Sequence, residues 1–120
     1  MIFGIGCDLI EIERIKKSCL SHRVVDFCFS KSEQREYGLD YARLAGCFAA
    51  KEAFSKALGT GVRGFGLNEV SVSHDELGKP FLELDGRAKE IAKKLSINCY
   101  LSISDTKTHA MAMAVLEVAE

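Results

Sequence analysis

Residues 41 to 58, "YARLAGCFAAKEAFSKAL", carry an unbroken helical pattern that closes on Gly59 and Gly61. At 100° per residue, Leu44, Cys47, Ala50, Phe54, Ala57 and Leu58 gather on one broad apolar side. A chain of 120 residues can surround this helix with one core and little more, so a single domain over residues 1–120 is expected. The hydrophobic fraction of 48% suits a globular protein. A net charge of −1 implies no bulk attraction to nucleic acid or to a membrane surface. The apolar start "MIFGIG" runs at once into Cys7 and Asp8, too short for a signal peptide or a membrane span. Cys7, Cys19, Cys28, Cys47 and Cys99 show no pairing rhythm, which points to reduced thiols in a cytoplasm. The three histidines have no zinc spacing to them.

Around the long helix the pattern alternates between strand and helix. Residues 2 to 6 read as a short buried strand. From Leu9 the period changes: Ile12, Ile15 and Cys19 share one helical face, and Arg14, Lys17 and Ser21 the other. Ser30 followed by Glu33 has the spacing of a capping box, and that short helix should stop near Gly38. "LNEVSVSH" and "FLEL" read as a hairpin turned by "ELGKP". Asp85 can cap "GRAKEIAKKL", and "CYLSIS" and "HAMAMAVLEV" read as two antiparallel strands joined by "DTKT". Hairpins with segregated helices predict an α+β fold, an antiparallel sheet with helices packed to one side.

On the long helix, Glu52, Ser55 and Lys56 fall roughly opposite the apolar side. Their spacing alone fits an ordinary surface ion pair between Glu52 and Lys56. Yet Ala45, Ala49, Ala53 and Phe48 are their neighbours, so the small polar island leaves room for something to lie against the helix. Gly59, Gly61 and Gly64 match G-x-G-x-x-G, but they follow a helix where a dinucleotide fold needs a strand before them. They read as a C-cap and loop, or as a loop that backs onto a ligand. Asp8 follows the first strand. It reads either as an N-cap for the next helix or as a metal-binding carboxylate on a rigid strand end. Magnesium needs only one or two protein carboxylates, so Asp8 and Glu52 would suffice, with Lys56 placed to neutralise a phosphate.

Taken in order, "GIGCDLIEIERI", "FAAKEAFSKALGTG", "GKP" at Gly78 to Pro80 and "LSISDTKTHAMAMAVLE" resemble the 4′-phosphopantetheinyl transferases, specifically the small bacterial holo-[acyl-carrier-protein] synthases. The resemblance implies transfer of 4′-phosphopantetheine from coenzyme A to a serine of apo-acyl carrier protein, with release of 3′,5′-ADP, in the service of fatty acid biosynthesis. By the same resemblance Asp8 and Glu52 hold Mg2+, and Lys56 stands beside the pyrophosphate. Gly59 and Gly61 lie near the nucleotide, as do Cys47, Ser104 and Asp105. Arg14, with Lys17 beside it, meets the acidic carrier protein. A homotrimer with active sites at subunit interfaces is also implied.

Two positions depart from the family pattern. Cys47 stands where an arginine is usual, and Asp105 where a histidine is usual after "SIS". Both cations are linked to the nucleotide's phosphates, so that subsite is expected to be weak unless Lys107 or His109 replaces the charge. The same departures motivate the alternative of a non-catalytic carrier-binding module. The retained Asp8, Glu52 and Lys56 argue against it.

Overall fold

The computed structural model describes residues 1–61 and 63–119. The elements run β1 (Ile2–Glu11), α1 (Ile12–Ser18), α2 (His22–Cys28), α3 (Lys31–Tyr37), α4 (Tyr41–Leu58) and a 3-10 turn (Leu67–Glu69). They continue with β2 (Val70–His74), β3 (Pro80–Leu84), α5 (Gly86–Leu95), β4 (Ile97–Asp105) and β5 (His109–Val118). Strands β1, β5 and β4 form an antiparallel sheet in that order, while β2 and β3 form a separate hairpin. The α+β class holds, with two sheets in place of the single one expected.

The core is α4 laid across the three-stranded sheet. Its bounds and its left-handed cap at Gly59 are as the sequence predicts, and Asp40 caps the other end by accepting from the Arg43 amide. The one-sided apolar stripe does not hold, because eleven of its eighteen residues are buried. Ala45, Ala49 and Ala53 are wholly buried. The room beside these alanines is filled by the protein's own sheet. A Cβ on Gly4 would strike the Ala57 carbonyl oxygen, and one on Gly6 the Ala53 carbonyl oxygen. Ala110, Ala112 and Ala114 of β5 are likewise fully buried, so small side chains on both partners bring backbone against backbone. Ser55, placed by the wheel beside Glu52 and Lys56, is also buried, and its hydroxyl donates to the Lys51 carbonyl.

Two further readings are corrected. The first strand runs to Glu11, and its outward residues Ile5 and Leu9 are each 65% exposed. Antiparallel pairing with β5 as far as Glu11–His109 supplies the hydrogen bonds that carry the strand past Leu9. Helix α2 carries no sequence signal that identified it. Its C-terminal carbonyl at Cys28 accepts from the buried Lys51 ammonium, a tertiary contact rather than a local one. The capping box of α3 is present as predicted, with the Ser30 and Glu33 side chains each accepting from the other's backbone amide.

Candidate active site

Asp8 is the seventh residue of β1 and lies within the strand, so it caps no helix; Glu11 occupies the N-cap position of α1. Asp8 pairs with the buried Ala112 and therefore faces α4. There the Lys56 ammonium donates to Asp8 Oδ1 at 3.1 Å and to the Cys7 carbonyl at 3.0 Å. Glu52, one helical turn before Lys56, is half-buried in the same place. Burial pushes its carboxyl above the ordinary glutamate value, the neighbouring Asp8 charge adds to this, and Lys56 opposes it. The structure thus joins Asp8, Glu52 and Lys56 in one cluster, and the Glu52–Lys56 spacing belongs to more than a surface pair.

Two neighbouring carboxylates, served by a single ammonium, with the Asp8 charge adding to the cost of ionising Glu52, suit a divalent cation bound by oxygen. Among the described residues no group of three His, Cys, Asp or Glu side chains stands together as a complete protein-built metal cage. A two-carboxylate pair fits a metal that takes its remaining ligands from phosphate and water.

The other residues singled out in the sequence divide between two places. Cys47 and Asp105 line a cavity of about 390 Å3 with Arg43, His74, Gly78 and Pro80. Asp8, Glu52 and Lys56 do not line it. Gly46 of α4 abuts Ile103 of β4 on this side, while Lys56 reaches β1 on the other, so α4 separates the two. Burial, then the Glu33 charge, drives the Cys47 thiol far above its ordinary value, and it stays neutral. Ser104 pairs with Met111 on the outer face of the sheet, opposite Asp105, so the two neighbours do not share a site within one chain. Gly59 and Gly61 have φ of 85° and 65° with open space where a side chain would stand, which allows close approach to the backbone just beyond Lys56.

Arg14 and Lys17 are exposed on α1. Arg14 rims an apolar pocket of about 210 Å3 with Ile10, Ile15, Phe29 and Phe48. Phe48 lies one turn before Glu52, so this pocket borders the carboxylates.

Sequence reasoning passed over Arg43, His74 and the buried pair of Lys51 and Glu33. A signal for Lys51 was present: it falls between Cys47, Phe54 and Leu58 on the apolar side of the wheel, where a lysine needs a partner. For His74, whose Nδ1 lies 3.0 Å from the Tyr37 hydroxyl, no local pattern announced the contact.

Known proteins share the sequence pattern and the fold of this chain. A family model described as the 4′-phosphopantetheinyl transferase superfamily matches residues 4–114. A holo-[acyl-carrier-protein] synthase of Clostridium botulinum (strain Eklund 17B / Type B) is 43% identical, over 98% of this chain and 99% of its own length. The crystal structure of holo-[acyl-carrier-protein] synthase from Neisseria meningitidis superposes with a TM-score of 0.87 at 33% identity, covering 98% of this chain and 99% of that one. The enzyme from Bacillus anthracis, solved in complex with CoA (3′,5′-ADP), gives 0.82 at 34% identity, with 99% of each chain covered. With the fold, the order of motifs and nearly the full length in common, the chain belongs to the 4′-phosphopantetheinyl transferase superfamily.

Proposed function

We propose that the chain acts over residues 1–120 as one transferase domain that moves 4′-phosphopantetheine from coenzyme A to a serine of apo-acyl carrier protein, releasing adenosine 3′,5′-bisphosphate. The observation that carries the reading is the cluster of Asp8, Glu52 and Lys56 where β1 meets α4. Asp8 and Glu52 would hold Mg2+, which when bound supplies charge stabilisation to the transferring and leaving oxygens. Lys56 is held to β1 by Asp8 and the Cys7 carbonyl, which aims its ammonium at the same place. Its charge favours the negative charge that gathers on the pyrophosphate as its bond breaks. Asp8, 17% exposed at its side chain, is reachable by a serine hydroxyl and is a candidate acceptor of its proton, as is a water beside the pair.

Carrier docking is assigned to α1. Arg14 and Lys17 offer positive charge to an acidic partner, and the apolar pocket behind Arg14 offers a seat for its apolar residues. A homotrimer with interfacial sites is supported by two features. The outer sheet face exposes Ile5, Leu9, Met111 and Met113, an apolar surface suited to a second copy. The cavity with Cys47 and Asp105 is also separated by α4 from the carboxylate cluster of the same chain, so a neighbouring copy's cavity can complete the site. Five free cysteines support a reducing, cytoplasmic setting, and a role in fatty acid biosynthesis follows from the carrier.

The test is mass spectrometry of apo-acyl carrier protein incubated with the chain, Mg2+ and coenzyme A. One phosphopantetheine per carrier is expected. Asp8→Ala and Glu52→Ala should lower turnover by orders of magnitude in folded protein, and Lys56→Ala by about 2.7 to 4 kcal/mol of activation free energy. Wild-type turnover in Glu52→Ala would defeat the assignment. Carrier binding without transfer in the wild type would favour the non-catalytic module.

A further inference from the structure

The geometry points to Lys51 and Glu33 as positioning residues, which set the rotation of α4, and so the direction of Glu52, against α2, the 3-10 turn and β2. Both side chains are completely buried, and neither is among the groups that would touch substrate. The Lys51 ammonium donates all three of its protons: to Glu33 Oε1 at 2.5 Å, to the Cys28 carbonyl at 2.7 Å and to the Leu67 carbonyl at 3.0 Å. Its charge also stands 5.1 Å from the centre of the Phe29 ring. Glu33 Oε1 accepts from the Ser30 amide, and Oε2 from the Val72 amide at 2.9 Å. One ion pair therefore ties together the end of α2, the start of α3, the middle of α4, the 3-10 turn and β2.

A buried ion pair contributes little stability relative to an apolar pair of the same volume. What it supplies is direction, because each hydrogen bond holds only within a narrow range of distance and angle. Lys51 precedes Glu52 on α4, so anchoring Lys51 sets the rotation at which Glu52 leaves the helix. The other side of α4 rests on Gly4 and Gly6 of β1, the strand that bears Asp8. The Cys28 carbonyl belongs to the last residue of α2, which follows α1, the helix that carries Arg14 and Lys17. The ion pair thus fixes the helix that bears Glu52 and Lys56 to the segment that follows α1, while α1 itself continues directly from β1, the strand of Asp8. A shift of 1 Å between reacting groups is enough to cost about a hundredfold in rate.

This inference rests on the transferase reading above. Its test uses the full chain with Mg2+, coenzyme A and apo-carrier. Glu33→Asp shortens the acid by one carbon while keeping both charges. The expected result is a folded protein with kcat lowered about tenfold. Dissociation constants for coenzyme A and for the carrier, each measured alone, stay within about threefold of wild type. Glu33→Asp/Lys51→Arg restores reach from the other side and should recover most of the lost kcat. Lys51→Met/Glu33→Gln removes both charges together and leaves neither buried alone. It should reproduce the kcat loss without the loss of binding.

Wild-type kcat in folded Glu33→Asp would overturn the proposal. So would affinities for both substrates that fall as far as kcat, since a general structural role predicts that pattern. Failure of all three variants to fold would overturn it too, by assigning the pair to stability. Absence of transfer by the wild type would instead remove the underlying function.

Discussion

At Glu52 a single side chain connects stability with function. Its carboxyl binds a proton more tightly in the native protein than in the unfolded chain. Between the ordinary value of 4.5 and the raised one, the native state therefore holds the extra proton. Stability contributed there falls as pH rises through that window, and the penalty is fully present above the raised value. Glu52→Gln should raise Tm at pH 7 without divalent cation, by roughly 1 to 3 °C. Added Mg2+ should stabilise the wild type and leave the variant unmoved. Thermal scans with and without Mg2+ decide it; a lower Tm in Glu52→Gln would contradict the account by burial and like charge. A second residue-scale expectation concerns Cys47 and Asp105. Neither supplies positive charge, and the cavity they share is lined by Arg43 instead of Lys107 or His109. The wild type should prefer coenzyme A over dephospho-coenzyme A by less than about a hundredfold in kcat/KM, the worth of one good contact to a charged group. Arg43→Ala should bring that preference close to one, whereas Lys107→Ala should not. The reverse ranking would move the phosphate contact off Arg43.

At the scale of elements, the junction of β1 with α4 carries the most information. Gly4 and Gly6 were read only as part of a strand, yet they let β1 approach the α4 backbone closely enough for Lys56 to reach Asp8. Gly6→Ala would also bring a Cβ to 2.8 Å from the Ala57 nitrogen, too close without movement of the strand. The expected cost is about 1 to 3 kcal/mol of stability by denaturant titration. Because the displaced strand bears Asp8, turnover should fall as well. Unchanged stability in Gly6→Ala would mean that the strand and helix can part without penalty. The C-terminal end of α4 and the capping box of α3 were legible because caps are local chemistry: Gly59, Ser30 and Glu33 each act within a few residues. Helix α2 was not, since the contact that ends it comes from Lys51, far along the chain.

For the whole molecule, the exposed sheet face is the feature that a lone chain leaves unexplained. Ile5, Leu9, Met111 and Met113 stand exposed on one side of β1 and β5, uncovered by the helices among the described residues. If this face joins three copies, Met113→Asp should yield a smaller particle by light scattering. It should also lose transfer activity, because each carboxylate cluster would lack its neighbour's cavity. A fully active monomer would contradict the interfacial site. Coenzyme A affinity of the same variant, compared with its carrier affinity, would show which part of the site the neighbour supplies.

The sequence by itself determined the limits of α3, α4 and α5, the hairpin, the α+β class, the Glu52–Lys56 face and, through its ordered motifs, the family. These are local or patterned properties, written in caps, periods and spacings within short stretches. Only the tertiary structure decided that Asp8 lies inside a strand, that the alanines of α4 face a sheet, and that Ser55 is buried. It alone separated Cys47 and Asp105 from the carboxylates and paired Lys51 with Glu33. These outcomes depend on which backbone lies against which helix face. One turn of helix presents nearly every direction to the core when its side chains are small, so the pattern of α4 does not name its inner face. Contact with β1, β5 and the ion pair at Lys51 supplies that choice.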